Sequence, residues 1–337
     1  MASPPYTVLV TGSSGHLGAA LMLSLPSLGY HPLGIDILPS ATTTITDTIT
    51  NRDLISSILS SNPSITHIIH AATLHKPHVA SHPKSAFVDT NITGTLVLLE
   101  EAAKFVPRIQ SFIFISTTST FGKALSPKQG QPAAWIDESV TPIPKNIYGV
   151  TKCAAEDLCG LIAHQTALPV LVLRTSRFFP EADDDEDRRN ALSDANLKVC
   201  ELAYRRADIS DIVSAIVCGM QKAAEIKWGK YIISAPPPFR RDDPETLARL
   251  DTDAGAVFRE AVPQCAAVFE KLGWSFLGRL DRVYDSSKAV RELGWKPEWT
   301  IEKVVEKLAR GEDWRSELTH LVGKKGYHAV PTGVYTT

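Results

Sequence analysis

TGSSGHLG, residues 11–18, follows a short apolar run (TVLVT, 7–11) without a break and leads into a helical segment, AALMLSL. Gly12, Gly15 and Gly18 permit a tight turn, close approach of the main chain to a pyrophosphate, and close packing of helix on strand. A helix that starts here offers free N–H groups and a positive dipole end to phosphate. Ser14, His16 and Leu17 fill the turn between the glycines and belong to the same expected contact. Asp36 closes the next apolar run 18 residues after Gly18, where a carboxylate can accept hydrogen bonds from a ribose diol. That carboxylate repels a 2′-phosphate, and the following ILPSATTT carries no arginine to bind one. These residues point to NAD as the cofactor.

The same kind of run recurs along the chain as HPLGID (31–36), HIIHAA (67–72), FIFIST (112–117), VLVLRT (170–175) and KYIISA (230–235). Each is too short for a helix and most are almost continuously apolar, as strands buried on both faces of a parallel sheet are. Helical patterns lie between them at 51–60 (Asn51 as N-cap), 94–106, 148–165 and 208–223. The alternation predicts an α/β fold: a Rossmann-type doubly wound parallel sheet, helices on both faces, and a small C-terminal substrate lobe. Residues 1–176 are expected to form the dinucleotide domain, with 208–235 returning to it. Residues 177–207 and 236–320 are expected to form the substrate lobe, and 321–337 a tail. The acidic run EADDDEDRR (181–189) has little to bury and reads as a loop. DSSKAVRELGW (285–295) reads as a capped helix, with Ser286 or Ser287 at its start and Gly294 just past its end.

Composition narrows the partners. The 337 residues are 44% hydrophobic and 21% charged, with net charge −2, so neither nucleic acid nor an anionic membrane is expected as a partner. Five cysteines (153, 159, 200, 218, 265) show no CxxC spacing and no histidines at metal-ligand intervals; reduced thiols, a cytoplasmic location and no metal are expected. MASPPYTVLV has no basic n-region, and no window approaches the ~18 consecutive apolar residues of a membrane span.

YGVTK (148–152) places a tyrosine and a lysine on one helical face. Alone, the pair says little. Together with TGSSGHLG, HIIHAA, DTNITGTL (89–96), FISTTSTFG (114–122) and DSSKAVRELGW, it resembles the extended short-chain dehydrogenase/reductase family, which includes nucleotide-sugar epimerases and dehydratases. The resemblance implies that Tyr148 is the general acid/base, and that Lys152 lowers its pKa and holds the nicotinamide ribose. It places the third catalytic hydroxyl at Thr117. Ser116 is the adjacent competitor, and because neighbouring strand residues face opposite sides, only one of the two should qualify. Asp47 and Thr48 match the family's adenine contact. Ala71, Ala72, Thr73, Thr175 and Ser176 match positions around the dinucleotide, and Asn91, counted with the cofactor site, matches an asparagine that the family places in the helix behind it. His75, Thr118 and Arg177 match positions facing substrate. A homodimer through the helices at 94–106 and 148–165 is also implied.

Nucleotide-sugar epimerases carry an asparagine where this chain has Arg177, and a longer segment over the nucleotide diphosphate. Here 27 residues (181–207), many acidic, fill that space, and Arg177, Arg205 and Arg206 are the candidates for an anion clamp. Three functions follow from these residues: an epimerase that takes a hydride from a sugar carbinol and returns it, a dehydrogenase or carbonyl reductase acting on a smaller substrate, and a dinucleotide-sensing regulator without catalysis.

Overall fold

The computed structural model describes residues 4–181 and 186–325. Its central sheet has seven strands: β1 Val8–Thr11, β2 Pro32–Asp36, β3 Ile45–Thr46, β4 His67–His70, β5 Ser111–Thr117, β6 Val170–Thr175 and β7 Trp228–Ile233. Every pairing is parallel, in the order β7-β6-β5-β4-β1-β2-β3. The main helices are α1 His16–Ser24, α2 Arg52–Ser61, α3 Gly94–Ala103, α4 Ile147–Thr166 and α5 Ile209–Ile226.

Side-chain alternation divides the core into two layers. Val8, Val10, Ile113 and Leu171 pack with α1 and α5 on one face. Leu9, Ile68, Phe112 and Val170 pack with α2, α3 and α4 on the other. Both faces are dry, so these strands have no polar side to alternate with. Each fully buried Val, Leu, Ile or Phe contributes about 1.5–3 kcal/mol. Asn51 caps α2 by accepting the Leu54 N–H at 3.2 Å.

A second core lies outside the sheet. It gathers Phe179, Tyr204, Phe239, Phe258, Phe269 and Trp314, with helices at Pro244–Thr252, Ala254–Ala261, Gln264–Leu272 and Ile301–Ala309. Two short parallel pairs belong to this region: Ala134–Ile136 with Arg282–Tyr284, and Arg177–Phe178 with Arg206–Ala207. Residues 134–136 therefore leave the main sheet, although they fall inside the stretch expected to form the dinucleotide domain. Two aspartates tie the C-terminal region back to α5. Asp208 accepts Ser316 N–H and the Thr319 hydroxyl, each at 3.0 Å. Asp211 accepts the N–H groups of Glu298 and Trp299 at 2.7 and 2.9 Å.

Several local expectations are corrected. The acidic run becomes helical at Glu186–Ala191 rather than remaining a loop; its early acids and late arginines suit the helix dipole, and none of its residues is buried. Residues 182–185 lie outside the described residues. The tail expected at 321–337 begins inside the helix Glu317–Val322, and 326–337 lie outside the described residues. The helix Ser287–Leu293 does start where expected, with Ser286 at the N-cap position, but the Ser286 side chain makes no capping bond and the Asp285 carboxylate accepts the Ser287 N–H at 2.8 Å. Gly294 follows it at φ +68°, as a left-handed C-terminal glycine.

Candidate functional site

Parallel strands in register bring their C-terminal ends to one edge of the sheet. Thr11 is level with Ile35 and His70, Asp36 with Thr46, and Thr117 with Thr175. The strand order reverses between β1 and β4, the place where open α/β sheets bind ligands. A cavity of about 980 Å³ lies there.

Its floor is the glycine turn. Gly12 has φ +74°, and a Cβ on it would lie 2.7 Å from Ala72 N; a Cβ on Gly18 would lie 1.9 Å from the Gly12 carbonyl oxygen. No side chain fits at either position, so the main chain itself forms the cradle at the start of α1. The Asp36 carboxylate accepts Ser14 N–H at 3.0 Å and Leu38 N–H at 2.9 Å, which fixes it at the cavity wall. Ser14, Gly15, His16, Leu17, Asp47, Thr48, Ala71, Ala72, Thr73, Thr175 and Ser176 all line the same space. The donor set fits a dinucleotide: a main-chain anion cradle, a fixed carboxylate for a diol, and no arginine beside it.

At the other end Tyr148 is nearly buried and lines the cavity together with Thr117, which acts on the phenol by favouring its ionised form. Ser116 turns away and donates to Glu156 at 2.6 Å, so of the two hydroxyl residues Thr117 is the one beside the phenol. Thr118, His75 and Arg177 line the cavity, and the His75 ring stands edge-on to Tyr148 with centroids 6.4 Å apart.

Two residues counted with the cofactor site do not line the cavity. Lys152 is buried, does not line the cavity, and donates to the Ile115 carbonyl at 2.6 Å, with its ammonium 4.0 Å from the Phe114 ring centroid. Burial brings its pKa down to about 7, with the nearby Glu156 charge opposing. Burial also pushes the Tyr148 phenol well above its ordinary value, with Thr117 opposing; this direction is opposite to that implied by a neighbouring ammonium. Asn91 likewise stays behind the wall. Its amide accepts from the Thr73 hydroxyl and Leu74 N–H, and donates to the Leu74 carbonyl and the Thr151 hydroxyl. Asn91 positions the 73–75 loop rather than touching the cavity, and a π-turn at Val88–Thr93 places it there.

The family model of the NAD dependent epimerase/dehydratase family matches residues 8–233. The chain belongs to that family. It is thus an extended short-chain dehydrogenase/reductase, a class of NAD-dependent enzymes. It is 28% identical over 190 residues to UDP-glucose 4-epimerase of Rhizobium leguminosarum bv. trifolii, covering 54% of each chain. It is 31% identical over 195 residues to dTDP-glucose 4,6-dehydratase of Streptomyces niveus, covering 51% of this chain and 54% of that one. The chain spans about half the length of these curated relatives in the matches. Among solved structures, UDP-glucose 4-epimerase from Thermotoga maritima, crystallised with UDP-glucose, superimposes with a TM-score of 0.59 at 21% identity, over 90% of this chain and 99% of that one. At that identity the likeness concerns the fold.

In this epimerase/dehydratase-family member the far end of the cavity is lined by Arg177, Arg188, Arg205 and Arg282 together with Glu181, Glu201 and Asp281. Arg205 pairs with Glu201. Arg206, considered for an anion clamp, is instead fully buried, donating to Glu201 at 2.7 Å and to the Glu181 carbonyl at 2.8 Å.

Two buried polar systems escaped the sequence reading. His70 links the Thr11 hydroxyl (2.8 Å) to that of Thr95 (2.9 Å) beneath the glycine turn, and burial, then the Lys152 charge, hold its pKa low. Glu156 accepts from Ser116 and pairs with Arg174 (2.7 Å) and Lys230 (3.1 Å) behind β5. The available signal was a charged Arg174 inside an otherwise apolar strand and a glutamate one turn after Lys152. Each is a polar group that needs a buried partner.

Proposed function

We propose that this chain transfers a hydride between nicotinamide C4 and a carbinol or carbonyl carbon of a sugar-like substrate, in an epimerase/dehydratase type of reaction. The observation that carries this is that the nearly buried Tyr148 and Thr117 line the same cavity as the glycine cradle. Gly12, Gly15 and Gly18 would hold the pyrophosphate, Asp36 the adenosine ribose, and Asp47 and Thr48 the adenine. Bound NAD would supply the hydride acceptor and a positive ring beside the phenol. Tyr148 would take the proton from the substrate hydroxyl while Thr117 orients the same oxygen. Lys152 would assist from behind the cavity wall, and Thr175 and Ser176 would flank the nicotinamide. Residues 177–207 and 236–320 would hold the substrate, with His75, Thr118 and Arg177 nearest it.

A second reading, an NAD-dependent dehydrogenase or carbonyl reductase acting on a smaller non-nucleotide substrate, is favoured by the far end of the cavity. There three carboxylates stand among four arginines, and Arg205 and Arg282 are already paired with Glu201 and Asp281, which leaves less cationic charge to clamp a diphosphate. A regulator without catalysis is disfavoured because both Tyr148 and Lys152 are present. Denaturing the purified protein and separating the released nucleotides tests these readings. Stoichiometric NAD(H) is expected for the epimerase, which has no net redox change. A site without retained nucleotide that binds added NADH reversibly would favour the second reading. Bound NADP(H) would overturn the role given to Asp36.

A cytoplasmic homodimer is also proposed. The cysteines are free thiols, and no helix among the described residues is long and apolar enough to cross a membrane. Val150 and Leu161 are about half exposed on α4, apolar surface that a second copy would cover. Light scattering on the purified protein should give twice the chain mass; the mass of one chain would sink the dimer.

A further inference from the structure

His16 opens α1 in the glycine turn and is only 3% exposed. Neither of its ring nitrogens has a hydrogen-bond partner among the described residues. Its ring packs on Phe178 with centroids 5.3 Å apart, and its Nδ1 lies 3.6 Å from the Glu181 carboxylate. Packing alone does not require an imidazole here, since a phenyl ring would cover Phe178 equally well. A buried polar group without a partner costs free energy, and in a ligand cavity the natural explanation is a partner that arrives with the ligand. His16 lines the cavity on the dinucleotide side, and Phe178 and Glu181 line it on the substrate side. Glu181 is held in place by its own carbonyl, which accepts from the buried Arg206. Its charge is also felt at the Tyr148 phenol.

We propose that His16 couples the dinucleotide to the substrate-side segment 177–181: one imidazole nitrogen bonds Glu181 and the other bonds the dinucleotide held in the glycine cradle. The inference rests on the NAD reading and adds to it. Main-chain amides of the turn grip any dinucleotide, whereas this side chain ties that grip to the wall of the substrate site.

The test measures NAD affinity by calorimetry, with no turnover required. His16→Phe keeps the packing on Phe178 and removes both nitrogens. It should weaken NAD binding about tenfold, the usual effect of losing one net hydrogen bond, without lowering Tm. Glu181→Gln should weaken NAD binding by a smaller factor. The double variant should bind NAD no more weakly than His16→Phe alone, because the carboxylate acts through the imidazole. If His16→Phe binds NAD as tightly as the parent, the imidazole is packing only and the proposal falls. If the two effects multiply in the double variant, the Glu181 link falls. If His16→Phe fails to fold, Glu181→Gln decides, and an unchanged affinity there overturns the coupling. A parent protein that binds no NAD at all would sink the cofactor reading itself, a result distinct from all of these.

Discussion

Replacing Tyr148 with Phe is expected to lower turnover by about 10²- to 10⁴-fold, the contribution of one positioned acid/base group, while NAD binding is preserved. The ring fills the same space, and the glycine cradle, Asp36 and the 71–73 segment do not depend on the hydroxyl. Burial holds the phenol well above its ordinary pKa in this structure. The oxygen is therefore protonated across the neutral range, and in the proposed role it would act as a base only when positive charge is brought close. Two sources are available: the nicotinamide ring and the Lys152 ammonium. Lys152 titrates at about 7, so its charge is present below that pH and is lost as pH rises through it. Steady-state turnover and NAD titration of the Phe variant check the assignment. Retained turnover would remove Tyr148 from the acid/base role. Lost NAD binding would show that the side chain is a cofactor contact first.

Glu156→Gln should destabilise the fold by about 3–5 kcal/mol, the usual result of breaking one partner out of a buried ion pair. Glu156 and Arg174 are 1% and 3% exposed along their side chains and 2.7 Å apart. The amide retains shape and one acceptor, but it leaves a guanidinium in the core without its counter-charge. Lys230 loses the same partner, and Ser116 loses a charged acceptor directly beside Thr117. Adding Arg174→Met should recover part of the loss, because removing both charges removes the uncompensated one. The pH dependence has a definite sign. Burial pushes the Glu156 carboxyl up, but Arg174 outweighs this and holds it below the ordinary 4.5. Its stabilisation is therefore present above that value and is lost as pH falls through the lower folded pKa. Urea unfolding of both variants from neutral to acid pH checks this. A loss under about 1 kcal/mol would mean that the pair is worth no more than an exposed one, its charges already screened by solvent.

Much of the fold was readable before any coordinates. Runs such as VLVLRT and FIFIST are continuously apolar because both their faces are dry, and the TGSSGHLG turn admits no Cβ at Gly12 or Gly18. These are local constraints, and local constraints leave marks in order and spacing. The sequence alone therefore determined the doubly wound sheet and the glycine turn beside Asp36, and it put Tyr148 and Lys152 on one helix. It did not determine where long side chains end. Lys152 could reach the cavity or the Ile115 carbonyl, and only packing against Phe114 decided for the latter. Asn91 was placed by a π-turn that no periodicity announces. Residues 134–136 join 282–284 across a separation that no local pattern encodes. Tertiary structure alone decided these, along with the Glu156–Arg174 pair and the meeting of His16 with Glu181, because each depends on which distant groups share a buried space.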